Sequence, residues 1–285
     1  MNEDMCKIFE MMWEDFPDTL GNDGNYQFKN EDIYSKYCDS NCDNCRTDLD
    51  KINAACFVLF KIFFEDSESF MKNAKCNMNI AQYIIIWLSY ILSLKENNNI
   101  SNLKDFYDLY INSNDKYNDK ITGVKDYTSY KDLIDKNNYF LSMNMKIVSK
   151  FYTSFKSLCS MYNEIEGNKS NSTKCLEEAK NFVDEYEKHN ENYDINKDSL
   201  YSQILSTLLT DYNNFKSYFV EKCSHCRDIS AFPVIKTTSS LSIASKLIPV
   251  LLMFAIPIFL GIAYKYSLFG FDKRVQRQTL RKKYK

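Results

Sequence analysis

Glycine and proline are both scarce in this chain, at six and four of 285 residues. Strand-rich folds need turn residues at each chain reversal, so the shortage argues for helices. Histidine occurs only at His189 and His225. Neither a Gly-x-Ser-x-Gly elbow nor a glycine-rich phosphate loop occurs, and Gly21, Gly24, Gly123 and Gly167 stand apart from any such motif. Nothing therefore points to hydrolase or nucleotide chemistry. Acidic pairs such as Glu177-Glu178 and Asp184-Glu185 read as solvated helix faces. The start, Met1-Asn2-Glu3-Asp4, is acidic and no apolar core follows it. The expectation is that no secretory signal peptide is present.

One apolar run is long. Leu247 to Tyr264 carries no charge, and as a helix it rises roughly 27 Å. That nearly spans a hydrocarbon core of about 30 Å, with Ser245 or Tyr266 able to complete it. Pro249 and Pro257 inside it are tolerated in membrane helices. Eight of the 36 basic residues but only one of the 38 acidic ones fall in 265–285. The body before it keeps 28 basic against 37 acidic groups. Basic flanks stay on the cytoplasmic side. Lys273, Arg274, Arg277, Arg281, Lys282 and Lys283 are thus the orientation residues, and everything before Lys246 faces away from the cytoplasm. The tail is expected to meet anionic inner-leaflet lipid. An acidic body offers no face to nucleic acid. A C-terminal lipid-anchor signal ends in its apolar tract, whereas this chain ends in charge.

Ten cysteines lie before the span: Cys6, Cys38, Cys42, Cys45, Cys56, Cys76, Cys159, Cys175, Cys223 and Cys226. An even number on the non-cytoplasmic side points to disulfides, with pairing open. The alternative is an intracellular membrane-anchored protein, its body in the cytoplasm with reduced thiols, that binds zinc or carries out thiol redox chemistry. Cys38-x3-Cys42-x2-Cys45 and Cys223-Ser-His225-Cys226 offer enough thiolate and imidazole for a zinc site. Either Cys-x2-Cys pair could serve thiol redox chemistry, although no strand–helix context precedes it. Three sequons, at Asn99, Asn168 and Asn171, are expected by chance in an asparagine-rich chain and are read as unoccupied.

Helical periodicity recurs along the body. Met5, Phe9, Met12, Trp13 and Phe16 share one face of a first helix that Pro17 helps to end. Leu49, Ile52, Cys56, Leu59, Phe60 and Phe63 mark a second, and Leu103, Phe106, Tyr107 and Tyr110 a shorter one. Phe140, Met143, Ile147, Phe151, Phe155, Leu158, Tyr162 and Ile165 predict one long helix. Two more follow at Cys175–Tyr186 and Tyr201–Phe219. Ile80 to Leu94 is apolar nearly all round but covers only about 22 Å, which suits a buried central helix better than a second span.

The expected fold is all-α: a helical disulfide-bearing ectodomain over 1–228, a Ser/Thr-rich stalk over 229–245, one transmembrane helix over 246–266, and a basic tail over 267–285. No cofactor is implied.

Ser-Ile-Ala-Ser-Lys-Leu-Ile-Pro-Val at 242–250 and Tyr-Lys-Tyr-Ser-Leu-Phe-Gly-Phe at 264–271, with the basic tail after them, closely resemble the Plasmodium interspersed repeat (PIR) proteins. Asn-Ala-Ala-Cys at 53–56, Ile-Trp-Leu-Ser-Tyr at 86–90, Leu-Cys-Ser-Met-Tyr at 158–162 and Gln-Ile-Leu-Ser-Thr-Leu at 203–208 continue the series. The likeness is nearest to the rodent-parasite branch. It implies a variant antigen held in a parasite membrane or exported towards the infected red-cell membrane. It implies a helical ectodomain, one span, and a role in antigenic variation, immune evasion and host interaction. It carries over no catalytic residue. Variation is expected to concentrate in the exposed segments Gly21–Lys36 and Asn112–Lys125.

Overall fold

In the computed structural model, residues 1–29, 34–38, 45–97, 99–165, 172–191, 199–222 and 232–235 are described. The span at 247–264, the basic tail, Cys42, Cys223, His225, Cys226, Asn168 and Asn171 lie outside them. Met1–Ile235 forms one compact unit. Among the described residues no helix is long and apolar enough to cross a membrane.

The described residues are helical, with only isolated bridges such as Leu20 to Tyr26. Helix α1 spans Glu3–Asp15. Its N-cap Asn2 accepts a hydrogen bond from the Met5 amide, and Glu3 and Asp4 face the positive end of its dipole. Helix α2, Asp48–Phe64, opens with a capping box in which Thr47 and Asp50 satisfy each other's backbone amides. Short α3 follows at Ser67–Lys72. Helix α4, Ile80–Ser93, buries eleven of its fourteen residues. This is the central helix the sequence foretells. Each large apolar side chain taken fully out of water contributes about 1.5–3 kcal/mol, so this element is a principal source of core stability.

Helix α5, Leu103–Phe106, runs into a π-helical turn at Tyr107–Ile111. Short α6 (Asp115–Asn118), α7 (Tyr130–Asp135), α8 (Tyr139–Ser142) and α9 (Met145–Val148) lead to α10, Phe151–Glu164. The single long helix expected from Phe140 to Ile165 is therefore broken twice. At the first break Met143 and Asn144 are extended, and the Asn144 side chain caps α9 by accepting from the Lys146 amide. The Asn144 amide itself donates to the Tyr201 hydroxyl at 3.0 Å. Asparagine offers the backbone this alternative to continuing a helix. The stripe holds at Phe140 and Met143 and along α10, whereas α9 buries Met145 and Val148 and leaves Ile147 half-exposed.

Helices α11, Ser172–Glu191, and α12, Ser199–Lys222, complete the bundle. Helix α10 is its hub, packing on α1, α4, α9, α11 and α12, while α4 packs on α2 and α9. Aromatic rings fill these contacts. Phe155 of α10 meets Phe9 of α1 edge-on at 4.8 Å and stacks on Tyr83 of α4 at 4.8 Å. Residues 232–235, which sequence places in the stalk, belong to the packed body instead. Phe232 sits 4.7 Å from the Phe219 ring, and the Pro233 carbonyl accepts from the Tyr212 hydroxyl.

Candidate functional surface

Among the seven cysteines of the described residues, four are paired. Cys6 of α1 and Cys159 of α10 lie with Cα atoms 4.8 Å apart, both fully buried. Periodicity already puts Cys6 beside Met5 and Phe9, and Cys159 beside Phe155 and Tyr162, on two inward faces. Packing of α1 on α10 then brings the sulfurs together. The second bridge joins Cys38 to Cys45. Beside it, the Lys116 ammonium donates to the Tyr37 and Cys38 carbonyls.

Cys56, Cys76 and Cys175 were expected in bridges but stand as thiols in this structure. Cys56 and Cys175 are buried, and burial pushes each thiol up to about 12. Both stay protonated at neutral pH and supply neither a nucleophile nor a thiolate ligand. Cys76 is exposed. No cluster of three or more histidine, cysteine, aspartate or glutamate side chains able to hold a metal occurs among the described residues.

His189 packs inward from α11. Its Nε2 lies 3.1 Å from the Lys150 carbonyl oxygen and its ring 4.9 Å from that of Phe151. Burial lowers its pKa, so the neutral ring braces the junction between α9 and α10.

Sequence reasoning missed one buried charge. Asp211 of α12 accepts from the Tyr83 hydroxyl and pairs with the Met1 ammonium. The Tyr162 hydroxyl reaches the Met1 carbonyl at 3.3 Å. The signal was present. Tyr201, Ile204, Leu208, Asp211 and Phe215 repeat at three- and four-residue steps, so the aspartate lies on the apolar stripe.

Of the segments expected to vary, much of the described part is exposed, although Tyr34 is buried and 30–33 lie outside the described residues. Gly21 and Gly24 shape a tight turn with Gly24 at φ +73°, and residues 22–25 are exposed. Between Asn112 and Lys125 the exposed chain is anchored by one fully buried ring, Tyr117, whose hydroxyl donates to the Asn53 side chain at 3.0 Å. Asn99, the sequon acceptor within the described residues, is exposed. A cleft of about 300 Å³ lies near it, lined by Tyr26, Asp48, Lys95 and Tyr110 among others.

The family profile described as Plasmodium variant antigen protein Cir/Yir/Bir matches residues 6–265. Among solved structures, the ectodomain of a Plasmodium PIR protein superposes with a TM-score of 0.60 at 35% sequence identity, over 83% of this chain and 99% of that one. Comparison with the curated proteins gives no match. These likenesses hold at the level of the whole family and do not reach a rodent-parasite branch.

Proposed function

The chain belongs to the Plasmodium Cir/Yir/Bir variant antigen family, and from that premise we propose that it is a single-span surface antigen acting by presentation. The helical body stands on the non-cytoplasmic side, Leu247–Tyr264 crosses the bilayer, and the basic tail faces cytoplasm. In this reading the chain performs no catalysis. Its partners are the lipid bilayer, anionic inner-leaflet lipid at the tail, and a host or parasite protein at the body; nucleic acid is not among them. The membrane is the parasite's own or that of the infected red cell, where surface variation serves antigenic variation and immune evasion.

The observation that carries the reading is the extent of the family match. It runs to residue 265 and so takes in the apolar run as well as the body. Protease protection of the full-length chain in sealed membranes tests it. The body should be digested from outside while the tail stays protected. Replacing Lys273, Arg274, Arg277, Arg281, Lys282 and Lys283 by glutamine should mix the two orientations. An unchanged orientation in that variant, or a tail cleaved from outside, contradicts it.

A further inference from the structure

The cleft beside Asn99 has a chemistry of its own. It sits where the start of α2, the end of α4 and the π-helical turn converge, with Leu49 and Leu92 in its lining. Two half-exposed tyrosines line it, and both rings are held in place. Tyr26 stacks parallel on Phe28 at 5.8 Å, and its hydroxyl donates to the Ile91 carbonyl at 2.8 Å. Tyr110 stacks on Phe106 at 4.9 Å within the π-helical turn. A π-helical turn is a rare and costly element that recurs at functional sites, and here it presents one of the two rings.

The remaining groups are short, polar and available. The side chains of Glu96 and Asn99 have no hydrogen bond or ion pair among the described residues. Asn97 uses its oxygen on the Asn99 amide, which leaves its NH2 group to donate. Asp48 meets Lys95 only at 3.7 Å and stays 40% exposed. Across this cleft and the one beside it, Asp48 and Glu96 balance Lys95 and Lys146, so the surface carries no net charge to favour phosphate, sulfate or sialic acid. A second cleft of about 260 Å³ shares Leu92, Lys95, Glu96 and Asn97 with the first, so the furrow continues past the chain that leaves α4.

We propose that this furrow binds a neutral oligosaccharide. A sugar ring has an apolar C–H face that packs on a fixed aromatic ring, and vicinal hydroxyls that bond in pairs to carboxylate and amide groups. Tyr26 and Tyr110 supply the first kind of contact; Asp48, Glu96, Asn97 and Asn99 supply the second. The first cleft is at the small end of ligand sites, room for one or two sugar units, and the second extends it. The inference deepens the antigen reading by naming a ligand class for its body, yet binding is measured without reference to orientation in the membrane. Failure here leaves the topology standing, and failure of the topology leaves this measurable.

The test uses the full-length chain in lipid nanodiscs, free of glycoside detergent, on immobilised neutral oligosaccharides with sialylated and sulfated counterparts alongside. At least one neutral glycan should bind, with an affinity of roughly millimolar per sugar unit, and its sialylated form should bind less well. Asn99→Ala and Glu96→Gln change exposed side chains and should preserve the fold. Together with Tyr110→Ala, each should weaken binding, the tyrosine variant by about tenfold. The proposal is overturned if no neutral glycan binds at millimolar concentration, if sialylated glycans bind better, or if Asn99→Ala and Glu96→Gln leave the affinity unchanged.

Discussion

The Tyr83 hydroxyl donates to the carboxylate of Asp211 across 128 positions of sequence, tying α4 to α12 inside the bundle. The same carboxylate meets the ammonium of Met1, a half-buried residue. Removing a buried charge that serves two donors leaves both unsatisfied. Asp211→Ala should destabilise the body by about 3–5 kcal/mol, read as a lower denaturation midpoint in urea. Asp211→Asn keeps an acceptor for Tyr83 and should cost less. Equal midpoints for the alanine variant and the parent would contradict this account of the core.

The two bridges should differ in worth. Cys6 and Cys159 are separated by 153 positions and Cys38 and Cys45 by seven. In the chain-entropy picture the longer loop restrains the unfolded chain more, giving about 5 kcal/mol against about 2. Paired serine substitutions at each bridge, compared by urea denaturation, should rank in that order. The reverse ranking would be inconsistent with it.

The thiols should sort by burial. In the native protein a maleimide should modify Cys76 rapidly, while Cys56 and Cys175 should react only after unfolding. Peptide mapping of the labelled chain decides this, and rapid native labelling at Cys56 would show that α2 packs less tightly than described.

Buried tyrosines make the fold sensitive to alkali. Burial pushes Tyr26, Tyr139 and Tyr186 up to about 12, and Tyr83 and Tyr152 well above the ordinary phenol value. Their folded pKa values exceed the unfolded value of about 10. The neutral phenol therefore contributes stability that is fully present below pH 10 and is lost as pH rises through the folded values. Tyrosinate absorbance should appear together with loss of helical circular dichroism. Independent, non-cooperative ionisation of all the tyrosines in a still-folded chain would contradict it.

Acid acts through His189 with the opposite sign. Burial depresses its folded pKa below about 6.5, so its contribution is present above that value and is lost as pH falls through the folded pKa. His189→Gln should flatten the fall in stability between pH 7 and pH 5. A variant that loses stability as steeply as the parent would assign the acid sensitivity elsewhere.

Much of the bundle was legible because apolar spacing reports burial directly. Helices α1, α2, α4, α11 and α12 follow their stripes, and the polar breaks at Gln82, Ser89 and Ser93 were too few to expose α4. Periodicity does not report continuity, so the stripe from Phe140 to Ile165 hid two breaks made by Asn144 and the Ser149–Lys150 junction. Asp211 was overlooked because its charge masked its position on the stripe. Bridge pairing depends on which helices pack, which no local pattern encodes. Cys6 meets Cys159 only because α1 lies on α10. The cleft likewise assembles from Tyr26, Asp48, Asn99 and Tyr110, which are far apart in sequence and share no motif.

In the proposed topology the helical body stands, oxidised, away from the cytosol, and Leu247–Tyr264 holds it in a membrane. The redox state of Cys6 and Cys159 in living parasites tests this most directly. Acid-quenched cells, alkylated under denaturing conditions and mapped by mass spectrometry, should yield the Cys6–Cys159 linked peptide and no alkylated form of either residue. Recovery of both cysteines alkylated in freshly quenched cells would place the body in a reducing compartment and contradict the account.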